Sequence, residues 1–392
     1  MINWRFLLPI ALVLSGTVSA APAELLLTIT AVPLEPPKQD QAPIALLADM
    51  SSGQILFARA ADKRMLPASM TKAMTALVAF DLIKQGKLDE NAVVTIRPEL
   101  AARWAGKGTS LNLKPGEQVR VGDLLMGTTT VSANDAAVAL AEAALGSSDT
   151  FIQTMNAYAK ALGMTGSHFA SVNGLPDGGK TYVTANDMIR LATALVAEHP
   201  QLYHKYFGHK FMIWRGGRHN SHDPFAGVLP GADGIKTGHT REAGFNFLGA
   251  VERHGRRLVV VIGGSPSEAA RADASRALAE WGYRAWDSRK FLSANQIVGA
   301  AKVQGGNTRE VQVAVPRGFA LAIPYGTRPA VTGRILYQGP LRAPLAKGQQ
   351  VARLEVSVAG QPTHYLPLVT TRAVGPAGTI DRIVAGLLGL FA

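Results

Sequence analysis

Cysteine is absent from the 392 residues, so no disulfide holds this chain together and no thiolate is available to a metal. The absence is neutral on compartment, because a cytosolic chain without cysteine would look the same. Charged residues are sparse at 17%, against 47% hydrophobic, a balance that buries a substantial core and excludes a disordered polymer. The apolar run near the N-terminus, Phe6 to Leu14, is far shorter than the roughly 20 residues a membrane span requires. Aromatic residues make up only 7% and do not interleave with the basic positions near the C-terminus, as a platform for single-stranded nucleic acid would need. Internal repeats are not evident.

What is present begins with an address. Met1 to Arg5 is a short positive segment, Phe6 to Leu14 an apolar core, and Val18-Ser19-Ala20 a small-x-small cleavage signal, so residues 1–20 read as a secretory signal peptide. A cut after Ala23 fits the same rule. Residues 21–43, with Pro33, Pro36, Pro37 and Pro43, read as an extended linker. A domain over 44–287 follows. Its strands Ile44 to Asp49 and Gln54 to Arg59 flank a Ser51-Ser52-Gly53 turn, and a helix over Ala68 to Lys84 is apolar nearly all round and stops at Gly86. Strands at Phe245 to Val251 and Leu258 to Ile262, then a helix over Ser267 to Tyr283, complete a mixed α/β layer structure. From Ser288 to Arg372 short alternating runs such as Val311-Val313-Val315 and Leu354-Val356-Val358 predict a small all-β domain. Residues 373–392 end in an amphipathic helix, with Ile380, Ile383, Val384, Leu387, Leu388 and Phe391 on one face. That face is too short to cross a bilayer but suits its interface, which makes membrane lipid an expected partner.

The formal charge of +12 is uneven: from Ser288 onward twelve Lys/Arg face three acids, a balance of +9. Export disfavours nucleic acid as the reason and points to anionic lipid or wall polymer.

Two patterns compete for the chemistry. Gly174-x4-Gly179-Lys180-Thr181 matches the phosphate-binding loop of nucleotide hydrolases. Such a loop follows a buried strand and runs straight into a helix. Here the preceding segment is a mediocre strand, Pro176 interrupts the loop, and a helix starts only at the Thr184/Asp187 capping signal, so no nucleotide is expected. The second pattern is Ser69 with Lys72, three apart and therefore on one helical face. A lysine kept neutral in a dry, electropositive pocket can take the proton of a serine nucleophile. Alone, that pair arises by chance. It is joined by Ser132-Ala133-Asn134 and Lys236-Thr237-Gly238, in the order and approximate separations of serine penicillin-recognising enzymes.

With these three motifs, and with the blocks around Leu66 to Ala76, Thr130 to Glu142, Val172 to Met188 and Ala232 to Phe247, nearly the whole mature chain resembles the low-molecular-weight, membrane-anchored penicillin-binding proteins that act as D-alanyl-D-alanine carboxypeptidases. The resemblance implies a penicillin-binding or serine β-lactamase-like fold of the α/β (α+β) class, an antiparallel sheet flanked by helices, followed by the β domain. It implies peptidoglycan peptide stems as substrate, β-lactams as covalent inhibitors, and no cofactor or metal. Ser69 would be the nucleophile, Lys72 its base and Ser132 a proton relay. Asn134 would hold the substrate amide, and Lys236 would keep the field positive. The backbone of Ser69 and His239, next to Gly238, would form an oxyanion hole. Thr237 and Arg271 would bind the terminal carboxylate.

The same motifs serve endopeptidases, transpeptidases and β-lactamases. No Glu-x-x-Leu-Asn type motif lies between Ser132 and Lys236, which argues against a class A lactamase. A non-catalytic wall-binding protein is disfavoured because every motif residue is present. Ala133 stands where the family usually has glycine, a change that is harmless if the backbone there is not left-handed. The segment Arg215 to Gly227 is longer and more basic than the resemblance implies, which leaves open which of Arg218, His219 and Asn220 faces the cleft. His204, His209, His219 and His222 read as solvated loop residues.

Overall fold

A computed structural model describes residues 35–36 and 41–378. The signal segment, most of the linker and the amphipathic tail therefore lie outside the described residues. The chain parts into two compact units, one ending at Trp286 and the other beginning at Asp287.

The first unit is built on a five-stranded antiparallel sheet in the order Gln54–Arg59, Ile44–Asp49, Arg256–Ser265, Gly244–Arg253, Ala232–Thr240. Leu258 to Ile262 is apolar without alternation because this central strand is covered on both faces. On one face Leu46, Ala48, Val259 and Val261 join a core with the helices Thr71–Lys84, Asn134–Leu145 and Ala185–Glu198. On the other, Gly282 of the helix Glu268–Ala285 lies so near Leu47 and Leu258 that a Cβ there would sit 2.6 and 2.8 Å from their methyl carbons. Ala232–Thr240 is an edge strand of this sheet.

The predicted hairpin, the two late strands and the final helix are all found. Ser267 caps that helix, its hydroxyl accepting from Ala270 N at 3.1 Å, and Thr184 caps Ala185–Glu198 in the same way through Asp187 N. The predicted helix from Ala68 divides into a 3-10 turn, Ala68–Met70, and the α-helix Thr71–Lys84, in which eleven residues are buried. The last of the linker already belongs to this unit: Ala42 is buried, and the Gln41 carbonyl accepts from Ser265 Oγ at 2.6 Å.

The second unit contains a six-stranded sheet in the order Val331–Leu336, Gln350–Val358, His364–Thr370, Glu310–Ala314, Ile297–Gln304, Leu341–Arg342. Along Gln350–Val358 every second residue from Ala352 is buried, the period of a sheet with one wet face. Leu321, Val311, Val313, Leu354 and Leu368 form its core.

Candidate active site

Ser69 stands half-buried in the short turn at the head of the Thr71–Lys84 helix, after Ala68, whose backbone is left-handed at φ 47. A non-glycine residue in that region is strained by about 1–3 kcal/mol and persists only where its surroundings fix it. The surroundings are identifiable. Asn246, an amide buried in an otherwise apolar strand, donates from Nδ2 to the Leu66 carbonyl (3.0 Å) and accepts from Gly264 N (2.8 Å), stapling the turn to the sheet. Gly174 lies against the same turn so closely that a Cβ would sit 1.8 Å from the Ala68 carbonyl.

Lys72 has 0% of its surface exposed. Its Nζ donates to Asn134 Oδ1 and to the Asn173 carbonyl, both at 2.7 Å, and lies 2.8 Å from Ser69 Oγ. Burial, and then the charge of Lys236, hold its pKa well below 10.5, against the opposing pull of Asp135. The two carbonyl oxygens can only accept, so they use both hydrogens of a neutral amine. The remaining lone pair then points at the one partner able to donate, the Ser69 hydroxyl.

Asn134 opens the helix Asn134–Leu145, and its Nδ2 donates to the Lys107 carbonyl (2.9 Å), which fixes Oδ1 toward Lys72. Ser132 ends the one-turn π-helix Gly127–Val131 in a left-handed conformation at φ 69, with Thr129 Oγ1 behind it donating to the Tyr206 carbonyl at 2.6 Å. Ala133 has φ −65, so the left-handed position of this motif falls on the serine and alanine is free of strain.

The edge strand carries the third motif. Gly238 passes the Ser69 turn so closely that a Cβ would lie 2.2 Å from the Pro67 carbonyl and 3.2 Å from Ser69 N, which is why only glycine fits. Thr237 is buried, and the exposed His239 stacks on Phe245 with ring centroids 3.8 Å apart. Lys236 is 3% exposed, donates to the Thr237 carbonyl at 3.0 Å, and has its pKa pushed down to about 7 by burial, with Arg271 adding to the effect and Asp223 opposing it. Arg271 is also 3% exposed rather than solvated. Its Nη2 donates to the His222 carbonyl (3.1 Å) and to Glu268 Oε1 (2.9 Å), while Nε is buried without a hydrogen-bond partner.

Sequence reasoning did not single out Asn246 or Asp135, and it met Asn173 and Gly174 only as part of the glycine-rich loop. Asn173 acts through a carbonyl, which has no sequence signature; a polar Asn246 within an apolar strand was a usable signal. Asp135 accepts from Leu111 N and Leu113 N, both at 3.0 Å, and holds that loop to the head of its helix. The basic segment forms the hairpin Phe211–Trp214 with Gly217–Asn220. Its Arg218 is exposed and lies over the Phe211 ring, 4.0 Å from the centroid, and its Nε donates to Asn220 Oδ1 at 2.9 Å. His219 is half-buried opposite Met212.

A serine hydroxyl resting on the lone pair of a desolvated lysine, beside an edge strand with two more buried cations, is equipment for acyl transfer from a substrate that ends in a carboxylate. The chain belongs to the D-alanyl-D-alanine carboxypeptidase family, whose profile matches residues 30–267, and the C-terminal domain of penicillin-binding protein 5 matches residues 286–376. It is 33% identical to D-alanyl-D-alanine carboxypeptidase DacA of Escherichia coli (strain K12), over 94% of this chain and 91% of that one. Penicillin binding protein 5 from Haemophilus influenzae superposes with a TM-score of 0.80 at 31% identity, covering 87% of this chain and 99% of that one. Penicillin-binding protein D2 from Listeria monocytogenes, solved in its cefotaxime-bound form, matches at 29% identity with a TM-score of 0.57, over 64% of this chain and all of that one.

Proposed function

We propose that this carboxypeptidase removes the terminal D-alanine from peptidoglycan stem peptides through an acyl-enzyme on Ser69. The observation that carries the reading is the hydrogen-bond set of Lys72, which leaves its lone pair for the serine proton. Ser69 Oγ attacks the carbonyl between the two D-alanines as its proton passes to Lys72 Nζ. The oxyanion takes hydrogen bonds from the backbone N–H groups of Ser69 and His239, which Gly238 brings together. Ser132 relays the proton to the leaving amine, the C–N bond breaks, and D-alanine departs. Water then cleaves the ester. Asn134 orients the substrate amide. Thr237 and Arg271 take the terminal carboxylate, consistent with the unpartnered Nε of Arg271. A β-lactam enters the same first step and stays as the adduct. The test is release of D-alanine from a pentapeptide ending in D-Ala-D-Ala, together with labelling by a fluorescent penicillin. Ser69→Ala should abolish both, and undiminished labelling of that variant would overturn the assignment.

The reading extends to location: an exported protein, periplasmic or at the outer face of the cytoplasmic membrane, held peripherally by the apolar face of residues 379–392. Among the described residues no helix is long and apolar enough to cross a membrane. Deleting Thr379 to Ala392 should move the protein from the membrane fraction to the soluble one with penicillin binding intact; aggregation or lost binding would make the tail part of a core.

A further inference from the structure

Arg271 is met by two acceptors of unequal standing. Its Nη2 carries two hydrogens, and both are taken, one by the His222 carbonyl (3.1 Å) and one by Glu268 Oε1 (2.9 Å). Nε, buried beside them, has no hydrogen-bond partner. An unmatched buried N–H costs about 1–3 kcal/mol, so the guanidinium is held short of one acceptor.

The His222 carbonyl is fixed. It belongs to a turn in which Phe225 N donates to Asp223 Oδ1 (2.8 Å), the Pro224 carbonyl accepts from Arg276 Nε (2.9 Å), and the fully buried Phe225 meets Phe247 edge-on with ring centroids 4.8 Å apart. Glu268 is the opposite case. It stands in the first turn of the helix Glu268–Ala285 with 60% of its side chain exposed, and among the described residues its carboxylate has no other hydrogen bond or ion pair.

A carboxylate gripped through both oxygens needs two N–H groups on one edge of the guanidinium, and the edge that includes the bare Nε also includes Nη2. One acceptor of Nη2 must therefore withdraw, and only Glu268 is free to do so. We propose that Glu268 is an internal stand-in for the terminal carboxylate of the substrate, occupying Arg271 until a peptide end arrives and then turning out to solvent. The exchange gives the cation two hydrogen bonds for one and satisfies Nε. The proposal rests on the carboxypeptidase reading and deepens it: a competition within the protein sets how strongly the chain end is held, with Glu268 as a positioning residue that acts through Arg271.

The test compares Glu268→Gln with the unaltered protein on a blocked tripeptide ending in D-Ala-D-Ala and on the same tripeptide amidated at its end. Removing the competing charge should lower KM for the free-ended peptide about two- to fivefold, the worth of a largely exposed ion pair. The terminal carboxylate is held alike before and during acylation, so kcat should not change. Turnover of the amidated peptide should gain nothing, and added salt should narrow the difference between the two proteins. A raised KM in Glu268→Gln would make Glu268 a brace for Arg271, an unchanged KM would make the pair idle, and equal gains on both peptides would place the effect away from the chain end; each result overturns the stand-in while the unaltered protein still releases D-alanine. An unaltered protein that released no D-alanine and took no penicillin would overturn the reaction itself and the stand-in with it.

Discussion

In the unit ending at Trp286 the charged residues Asp49, Lys72, Asp135, Asp187, Lys236, Arg256 and Arg271 are all buried, whereas among the described residues from Asp287 onward the buried polar group is Thr370. The buried charges themselves fall into two sets. Asp49 pairs with Arg256 at 2.7 Å, and Asp135 and Asp187 accept backbone N–H groups, so each is neutralised or solvated by protein. Lys72 touches only neutral oxygens, Lys236 donates to a neighbouring carbonyl, and Arg271 keeps a bare Nε beside a largely exposed Glu268. We propose that fully compensated burial marks structure in this molecule and that incompletely compensated burial marks the residues of the proposed reaction.

The sharpest way to break that distinction is Lys72→Arg, which keeps the charge but cannot act as a base, since a guanidinium stays protonated. Acylation by penicillin should fall by on the order of a thousandfold with circular dichroism unchanged. Near-normal acylation would move Lys72 into the structural set. Arg271→Ala should lower turnover of a free-ended D-Ala-D-Ala peptide by roughly ten- to a hundredfold, the value of a charge-assisted hydrogen bond. A substrate amidated at its end should be poor for both proteins and no worse for the variant. Equal losses on the two substrates would make Arg271 structural.

The pH profile gives a smaller effect with a definite sign. Lys72 must be neutral, so its lowered pKa sets the acid limb of kcat/KM, with activity lost as pH falls through it. Lys236 must be charged, so activity falls as pH rises through about 7 in the free protein. Lys236→Arg should push that alkaline limb upward; an unmoved limb would assign it elsewhere. Smallest on chemistry is Leu321→Ala in the second unit. A fully buried leucine truncated to alanine destabilises by about 2–5 kcal/mol, which should lower the melting transition and leave the penicillin acylation rate unaltered. A slowed acylation would tie the two units' functions together.

The same contrast decides what the sequence could reveal. The second unit's strands were legible because one face is wet and the period of two survives in Gln350–Val358. The Thr71–Lys84 helix was legible for the opposite reason, an apolar run long enough to exclude a strand. Ser69, Lys72 and Lys236 were found by spacing within motifs. What escaped was set by tertiary contact: the left-handed Ala68 and Ser132, the carbonyl of Asn173, and the pairing of Phe211–Trp214 with Gly217–Asn220 into a hairpin have no local cause in composition. Reading the glycine-rich loop as a surface loop placed Lys180 there, and Lys180 is exposed. That reading passed over the contact of Gly174 with Ala68, which puts the first glycine of the motif against the turn that carries Ser69.

Lys236 depresses the pKa of Lys72, and Arg271 that of Lys236, so the cleft gathers like charge that Asp135 and Asp223 balance only in part. An arriving carboxylate relieves that repulsion in the folded chain and has nothing to relieve in the unfolded one. By linkage, occupancy must then raise the melting temperature with the logarithm of ligand concentration. By the same linkage the folded chain resists unfolding most while peptide ends are plentiful and least when they run out.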